Sequence, residues 1–259
     1  MATSERMAAG TSQWVVRQRP AAQAALRLFC LPYAGGGAYI YRDWAEHLPA
    51  KVEVCPIQLP GRGNRLREAP ATRMAPLVEA IAGAITPLLD KPFAIFGHSM
   101  GALIGFELAR FLGREHGKVP SHLFVSGRSA PQVPDADKRT YDLPEPEFIE
   151  ELRRLNGTPQ EVLDHPELMQ MMIPILRADF ETIQTYEYQA GRPLDCPISA
   201  MGGIQDPDVT RQDLEAWREE TSGPFTLRMF PGGHFLINTA RPMLLQAITK
   251  ELHQSGVLS

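Results

Sequence analysis

Short apolar runs alternate with stretches of helical periodicity along this chain. Leu26–Leu31 (LRLFCL), Val52–Leu59 (VEVCPIQL), Phe93–Phe96 (FAIF), Leu123–Ser126, Ile198–Met201 and Phe225–Phe230 read as strands. Their lengths fit the roughly 4–8 residues of buried strands. Pro56 interrupts the second run without ending it. Between the strands, Asp43–Leu48 reads as a short helix and Met74–Leu89 is apolar at helical spacing. Met100–Gly113 reads as a helix with a glycine stop, and Met243–His253 as a closing helix. Buried strands alternating with helices predict an α/β fold with a mainly parallel sheet covered on both faces.

The alternation breaks once. Residues 130–193 contain no strand-like run and several helix signals. Thr158-Pro159-Gln160-Glu161 supplies an N-cap, a proline at the first helical position and an acid three residues after the cap. Phe148, Ile149, Leu152 and Leu155 share a helical face. Leu168–Tyr188 is helical by pattern but carries Pro174, which predicts a kink or break. Met169, Met171 and Met172 cluster here. Flexible methionine suits a surface that repacks around varied apolar ligands, and it equally suits a helical core patch.

The length of 259 residues fits one α/β domain, at 25–259, behind a polar, Ala-rich tail at 1–24 that reads as flexible. Hydrophobic residues make up 44% and charged residues 22%, which excludes wholesale disorder. A net charge of −4 provides no basic field, so neither nucleic acid nor an anionic membrane is expected as a partner. The longest uncharged runs, Leu28–Tyr41 and Pro92–Phe106, fall short of the ~18 residues of a membrane span. Cys30, Cys55 and Cys196 lie far apart, without metal or redox spacing, which fits a reducing cytoplasm.

The chemistry centres on Gly97-His98-Ser99-Met100-Gly101, a G-x-S-x-G pentapeptide. It follows an apolar strand and opens a helix rich in small residues, the setting of a nucleophile elbow. In so tight a turn the two glycines leave room for neighbouring backbone, and the Ser99 hydroxyl stands clear at the carboxyl end of the sheet.

A serine nucleophile needs a base, and the base needs an acid to orient it; on this architecture they follow in the order Ser, Asp or Glu, His. Of seven histidines only His234 follows a late strand, on the Gly-containing loop Phe230-Pro231-Gly232-Gly233-His234-Phe235. His98 lies beside the serine and points elsewhere, while His116 and His122 read as surface residues. The preceding strand leads to Gly203-Ile204-Gln205-Asp206-Pro207-Asp208. Both aspartates qualify, and the spacing favours Asp206 over Asp208. The oxyanion needs two backbone donors. Met100 N–H is one; the other comes from the glycine-rich loop after the first strand, with Ala34 favoured and Gly35 second.

Leu59-Pro60-Gly61-Arg62-Gly63-Asn64-Arg65 reads as a tight turn with solvated arginines, or as a site where Arg62 or Arg65 meets an anionic ligand. No metal set is visible: HExxH is absent and Cys and His do not cluster.

Taken together and in order, FCLPYAGGGA, LPGRGNR, GHSMG, GGIQDP and PGGHFL resemble the stand-alone type II thioesterases of polyketide and nonribosomal peptide synthases. The resemblance spans Leu28 to the C-terminus. It implies an α/β-hydrolase fold with a helical lid, which fits an insertion at about 130–193. It also implies hydrolysis of stalled or aberrant acyl thioesters from the phosphopantetheine arm of acyl carrier protein domains. Ser99, Asp206 and His234 match the family triad, and Ala34 and Met100 its oxyanion-hole positions. Met169, Met172 and Phe180 become candidate walls of an acyl chamber. No cofactor is expected beyond the arm that the substrate carries, and a monomer is the expected form.

Overall fold

The computed structural model describes residues 13–17, 23–134, 139–155 and 163–258. Along them run β1 (Leu26–Leu31), α1 (Trp44–His47), β2 (Val52–Pro56), α2 (Met74–Ile85), β3 (Phe93–His98), α3 (Met100–His116) and β4 (His122–Ser126). Then follow α4 (Glu145–Leu155), α5 (Pro166–Gln184), β5 (Ile198–Gly203), α6 (Arg211–Glu215), β6 (Phe225–Phe230), α7 (Leu236–Thr239) and α8 (Arg241–Gln254). The strands form one sheet in the order β2-β1-β3-β4-β5-β6, every pair parallel. This is an α/β fold of the α/β-hydrolase type.

Alternate side chains feed two cores. Phe29, Leu31, Ile95, Leu123, Val125, Ile198 and Ala200 pack towards α2 and α3. Leu28, Cys30, Ala94, Phe96, Phe124 and Met201 pack on the other face, with Trp44 and Leu244, Leu245 and Ile248 of α8. Burial on both faces is why these strands read as continuous apolar runs. Cys30, Cys55 and Cys196 are free thiols inside this packing. Burial pushes the thiols of Cys55 and Cys196 up to about 12 and that of Cys30 well above its usual value.

Several boundaries differ from expectation. β3 extends through Gly97 and His98, which still pair with Val125 and Ser126 of β4. β5 extends through Gly202 and Gly203 against Met229 and Phe230. α3 passes Gly113 and stops at Gly117, whose φ of +61° makes it the left-handed C-cap. α5 runs unbroken through Pro174. The Thr158 capping signal lies outside the described residues.

Residues 13–17, expected to belong to a flexible tail, instead dock on the sheet edge. Val15 is buried and bridges Ile57 in antiparallel sense. Val16 N–H donates to Pro56 O at 2.9 Å, and Gln58 N–H donates to Trp14 O at 2.8 Å. Arg17 joins Glu53 at 2.6 Å, and Glu53 also accepts from buried Arg27 at 2.9 Å. This charged trio lies at the opposite end of the strands from Ser99.

His122 is likewise not a surface residue. It is 3% exposed, stacked on Phe124 at 4.1 Å, with Nε2 2.8 Å from Ser199 Oγ. Burial lowers its pKa from 6.5 to about 4. The unfolded chain therefore takes up this proton first as pH falls. The stabilisation is fully present above about pH 6.5 and is lost between there and pH 4, on the order of 3 kcal/mol in all. Urea unfolding at pH 7, 5.5 and 4.5 should show a shallower acid loss for His122→Phe than for the unsubstituted protein.

Candidate active site

In a parallel sheet all strands deliver their following loops to one edge, and ligands bind outside the carboxyl ends. The loops after β1, β3, β4, β5 and β6 meet there. They bring Ala34, Ser99, Gly127, Asp208 and His234 to one cavity.

Ser99 joins β3 to α3. Its φ of +53° and ψ of −117° make it the one non-glycine residue with positive φ among the described residues. Such a conformation costs about 1–3 kcal/mol and persists where the surroundings over-determine it. Three contacts do so here. Ser99 N–H donates to Ser126 O at 2.7 Å. A Cβ on Gly97 would lie 2.0 Å from Gly101 O, and one on Gly101 would lie 2.2 Å from Leu31 O. No side chain fits in either gap. Met100 opens the 17-residue α3, so its N–H is one of the helix's unpaired first-turn donors at the positive end of the dipole.

His234 Nδ1–H donates to Asp206 Oδ2 at 2.9 Å. The other carboxylate oxygen, Oδ1, accepts the N–H groups of Asp208 at 3.0 Å and Val209 at 3.2 Å. The Asp206 carboxylate is fully enclosed, while the imidazole is 20% exposed. Burial alone would raise the Asp206 pKa. The His234 bond and charge and the two backbone donors overcome it and hold the carboxyl below its usual range. Asp208 also borders the cavity, but its carboxylate pairs with Arg154 of α4 at 3.1 Å and not with His234.

The two loops that carry this pair are tied together. Gln205 N–H donates to Gly232 O at 2.9 Å, and Gly232 N–H donates back to Gln205 Oε1 at 2.5 Å. Gly232 sits at φ +109°. A side chain on Gly203 would strike Gly232 O at 2.4 Å. Gln205 stands one residue before Asp206, and its role depends on a partner 27 residues further along the chain, which gives the local sequence no signal of it.

His98 does point away from the cavity. It is wholly buried, with Nδ1 3.0 Å from Ser126 Oγ and its ring 5.4 Å from that of His234. Burial first, and the His234 charge second, push its pKa well below 6.5, so it is neutral.

Arg62 and Arg65 are not solvated: they are 6% and 5% exposed. Arg65 pairs with Glu68 at 2.5 Å and lies over the Trp14 ring at 3.8 Å. Arg62 donates Nη1 and Nη2 to the two oxygens of Asp179 on α5 at 2.6 and 2.8 Å. Asp179 is itself 3% exposed and was not anticipated, because its partner is 117 residues away. Of the two loop donors, Gly35 N–H is taken by Asp179 at 2.7 Å, while Ala34 borders the cavity.

The cavity roof comes from α4 and α5, through Leu152, Leu155, Leu176, Phe180 and Ile183. Phe180 is thus where expected. Met169 and Met172 are not among the lining residues. Met169 is 3% exposed in a satellite core with Phe148, Leu152 and Ile173, and Met172 packs against that cluster. Met169 faces the roof's own interior, where thioether flexibility fills irregular space, while Met172 Cε reaches across to the Gly35 turn, 3.4 Å from where a Cβ on that glycine would lie.

The thioesterase domain family matches residues 26–252. The gramicidin S biosynthesis protein GrsT of Aneurinibacillus migulanus is 48% identical over 241 residues, covering 93% of this chain and 94% of that protein. The thioesterase RedJ of the prodiginine pathway in Streptomyces coelicolor superposes with a TM-score of 0.84 at 40% identity, over 91% of this chain and 92% of its own. The type II thioesterase BorB of the borrelidin biosynthetic cluster gives 0.85 at 39% identity, over 92% and 97%.

Phe180→Ala should shift the optimum towards longer or bulkier acyl groups, read as kcat/KM across an acyl series. Met169→Ala should cost about 2–5 kcal/mol of stability and leave that preference unchanged. A changed preference in Met169→Ala alone would reverse the two assignments.

Proposed function

The chain belongs to the thioesterase family and is a thioester hydrolase; from that premise we propose that it is a serine enzyme that clears stalled or aberrant acyl groups from carrier proteins. The observation that carries the reading is one cavity holding a strained serine at a helix N-terminus and a histidine paired with an enclosed aspartate. The biosynthetic settings of GrsT and BorB support carrier-bound acyl groups as substrates.

In the proposed reaction His234 Nε2 takes the Ser99 proton as Oγ attacks the thioester carbonyl carbon. Asp206 fixes the imidazole tautomer and stabilises the imidazolium while remaining ionised. The N–H groups of Ala34 and Met100 receive the oxyanion. Collapse breaks the C–S bond, and His234 returns the proton to the departing pantetheine sulfur. Water then attacks the acyl-serine carbonyl carbon, giving a proton to His234; the C–Oγ bond breaks, His234 passes that proton to Ser99 Oγ, and the acid departs. The protein supplies no cofactor in this scheme; the phosphopantetheine arm arrives with the substrate.

The roof bears on substrate choice. Its leucines, Phe180 and Ile183 offer apolar contact to an acyl chain, with Gln184 beside them and Arg128 and Ser129 on the facing loop as the polar part of the lining. That suits an enzyme that removes varied unwanted groups. A net charge of −4 gives no overall attraction to acidic carriers, so docking falls to local surface. No helix among the described residues is long and apolar enough to cross a membrane. The three free cysteines suit a reducing compartment, and we propose that the enzyme works in the cytoplasm, as a monomer beside its synthase.

Intact-mass analysis of acyl-loaded carrier protein tests the reading, with the same acyl group on coenzyme A in parallel. The expected result is fast loss of the acyl mass from the carrier, slow loss from coenzyme A, and neither with Ser99→Ala. Equal rates on both thioesters would remove carrier recognition, and turnover by Ser99→Ala would remove the nucleophile.

A further inference from the structure

The buried Arg62–Asp179 pair takes no part in the reaction above, yet it ends on the loop that the reaction needs. Gly36 N–H donates to Tyr33 O at 2.9 Å, closing a β-turn around Ala34 and Gly35. Gly35 has φ +76°, as the third position of a type II turn requires. Tyr33 C=O and Ala34 N–H belong to one planar trans peptide, so fixing the carbonyl fixes the direction of the N–H. The middle peptide of the turn directs Gly35 N–H outward, where Asp179 Oδ2 accepts it at 2.7 Å. The same oxygen accepts Arg62 Nη1 at 2.6 Å, and Nη1 also donates to Gly36 O at 3.2 Å.

Gln58 extends the scaffold. Its Nε2 donates to Arg62 O at 2.9 Å and its Oε1 accepts Ala38 N–H at 3.0 Å. Gln58, Arg62 and Asp179 are all at least 94% buried. Three side chains from outside the loop therefore hold Gly35, Gly36 and Ala38, the residues that follow Ala34. A clamp serving only to attach α5 would need the arginine alone. Here the carboxylate also takes up a backbone N–H of the turn.

We infer that Arg62 and Asp179 are positioning residues that hold the Tyr33–Gly36 turn so that Ala34 N–H meets the oxyanion. The inference rests on Ala34 being an oxyanion donor. It ties a wall of the acyl chamber to the reacting centre, since Asp179 and the cavity-lining Phe180 are neighbours on α5. Displacing an oxyanion donor by about 1 Å costs on the order of 100-fold in rate while leaving ground-state binding alone.

The test compares the unsubstituted protein with Asp179→Asn and with the double variant Arg62→Leu, Asp179→Leu. The double variant removes both buried charges and so avoids stranding one of them. Each is assayed for kcat on an acyl-pantetheine thioester and for binding of two ligands. One is an alkyl trifluoromethyl ketone, on whose carbonyl carbon Ser99 Oγ forms a bond as its proton passes to His234, leaving a tetrahedral oxyanion. The other is the thioether analogue of the substrate, which forms no oxyanion.

Both variants should lose about 100-fold in kcat and in ketone affinity while thioether binding stays within about threefold. If Asp179→Asn does not fold, the double variant carries the test. Full kcat and ketone affinity in a folded variant would overturn the inference, as would thioether binding that weakens in parallel. If the ketone fails to inhibit the unsubstituted protein, or Ser99→Ala turns over normally, it is the serine reading of the site that fails.

Discussion

Where β3 gives way to α3 the backbone doubles back with nothing but hydrogen atoms between its two arms. Gly97 faces the carbonyl of Gly101, and Gly101 faces the carbonyl of Leu31, at separations that no Cβ could occupy. This close approach seats the first turn of α3 against the ends of β1 and β3. It also forces Ser99 into a conformation that its neighbours maintain at a local cost. The strain and the reactivity have one origin.

The remaining groups of the site stand in place through contacts between loops. Gln205 and Gly232 exchange hydrogen bonds and thereby set Asp206 beside His234. On the far side of the serine, Arg62 and Asp179 fasten the turn that carries Ala34. The Gln205–Gly232 exchange lies at the surface and acts by tying two loop backbones together. The Arg62–Asp179 contact is buried, so its loss would strand donors and acceptors away from water, which makes it hard to deform gradually.

Much of this was legible in the residues. Strands buried on both faces announce themselves as apolar runs; all six strands were legible, including the partly buried edge strand β6. The elbow was legible because its requirement is local: two glycines four residues apart around a serine, between a strand and a helix. The choice of Asp206 over Asp208 followed from spacing, and the 2.9 Å contact with His234 agrees with it. What escaped depended on distant partners. An arginine in a glycine-rich turn looks solvated until Asp179 arrives from the helical segment. His122 looked like a surface residue because its burial between Phe124 and Ser199 involves another strand. Met169 and Phe180 share one helix and one apolar character, and only the rotation of α5 separates core from chamber wall. The docking of residues 13–17 is of the same kind, since Val15 gains its burial from Ile57 and Trp14 its cation from Arg65.

The three cysteines give the protein an unusual relation to its own product. Hydrolysis of a thioester liberates a thiol, so the enzyme works in a growing pool of sulfhydryl groups and of any disulfides they form. Thiol–disulfide exchange proceeds through an accessible thiolate. Cys30, Cys55 and Cys196 are enclosed and held protonated far above neutral pH. The folded chain therefore presents no partner for mixed disulfides with the arm it has just unloaded. A chromogenic disulfide reagent added during turnover titrates released thiol against a silent protein background.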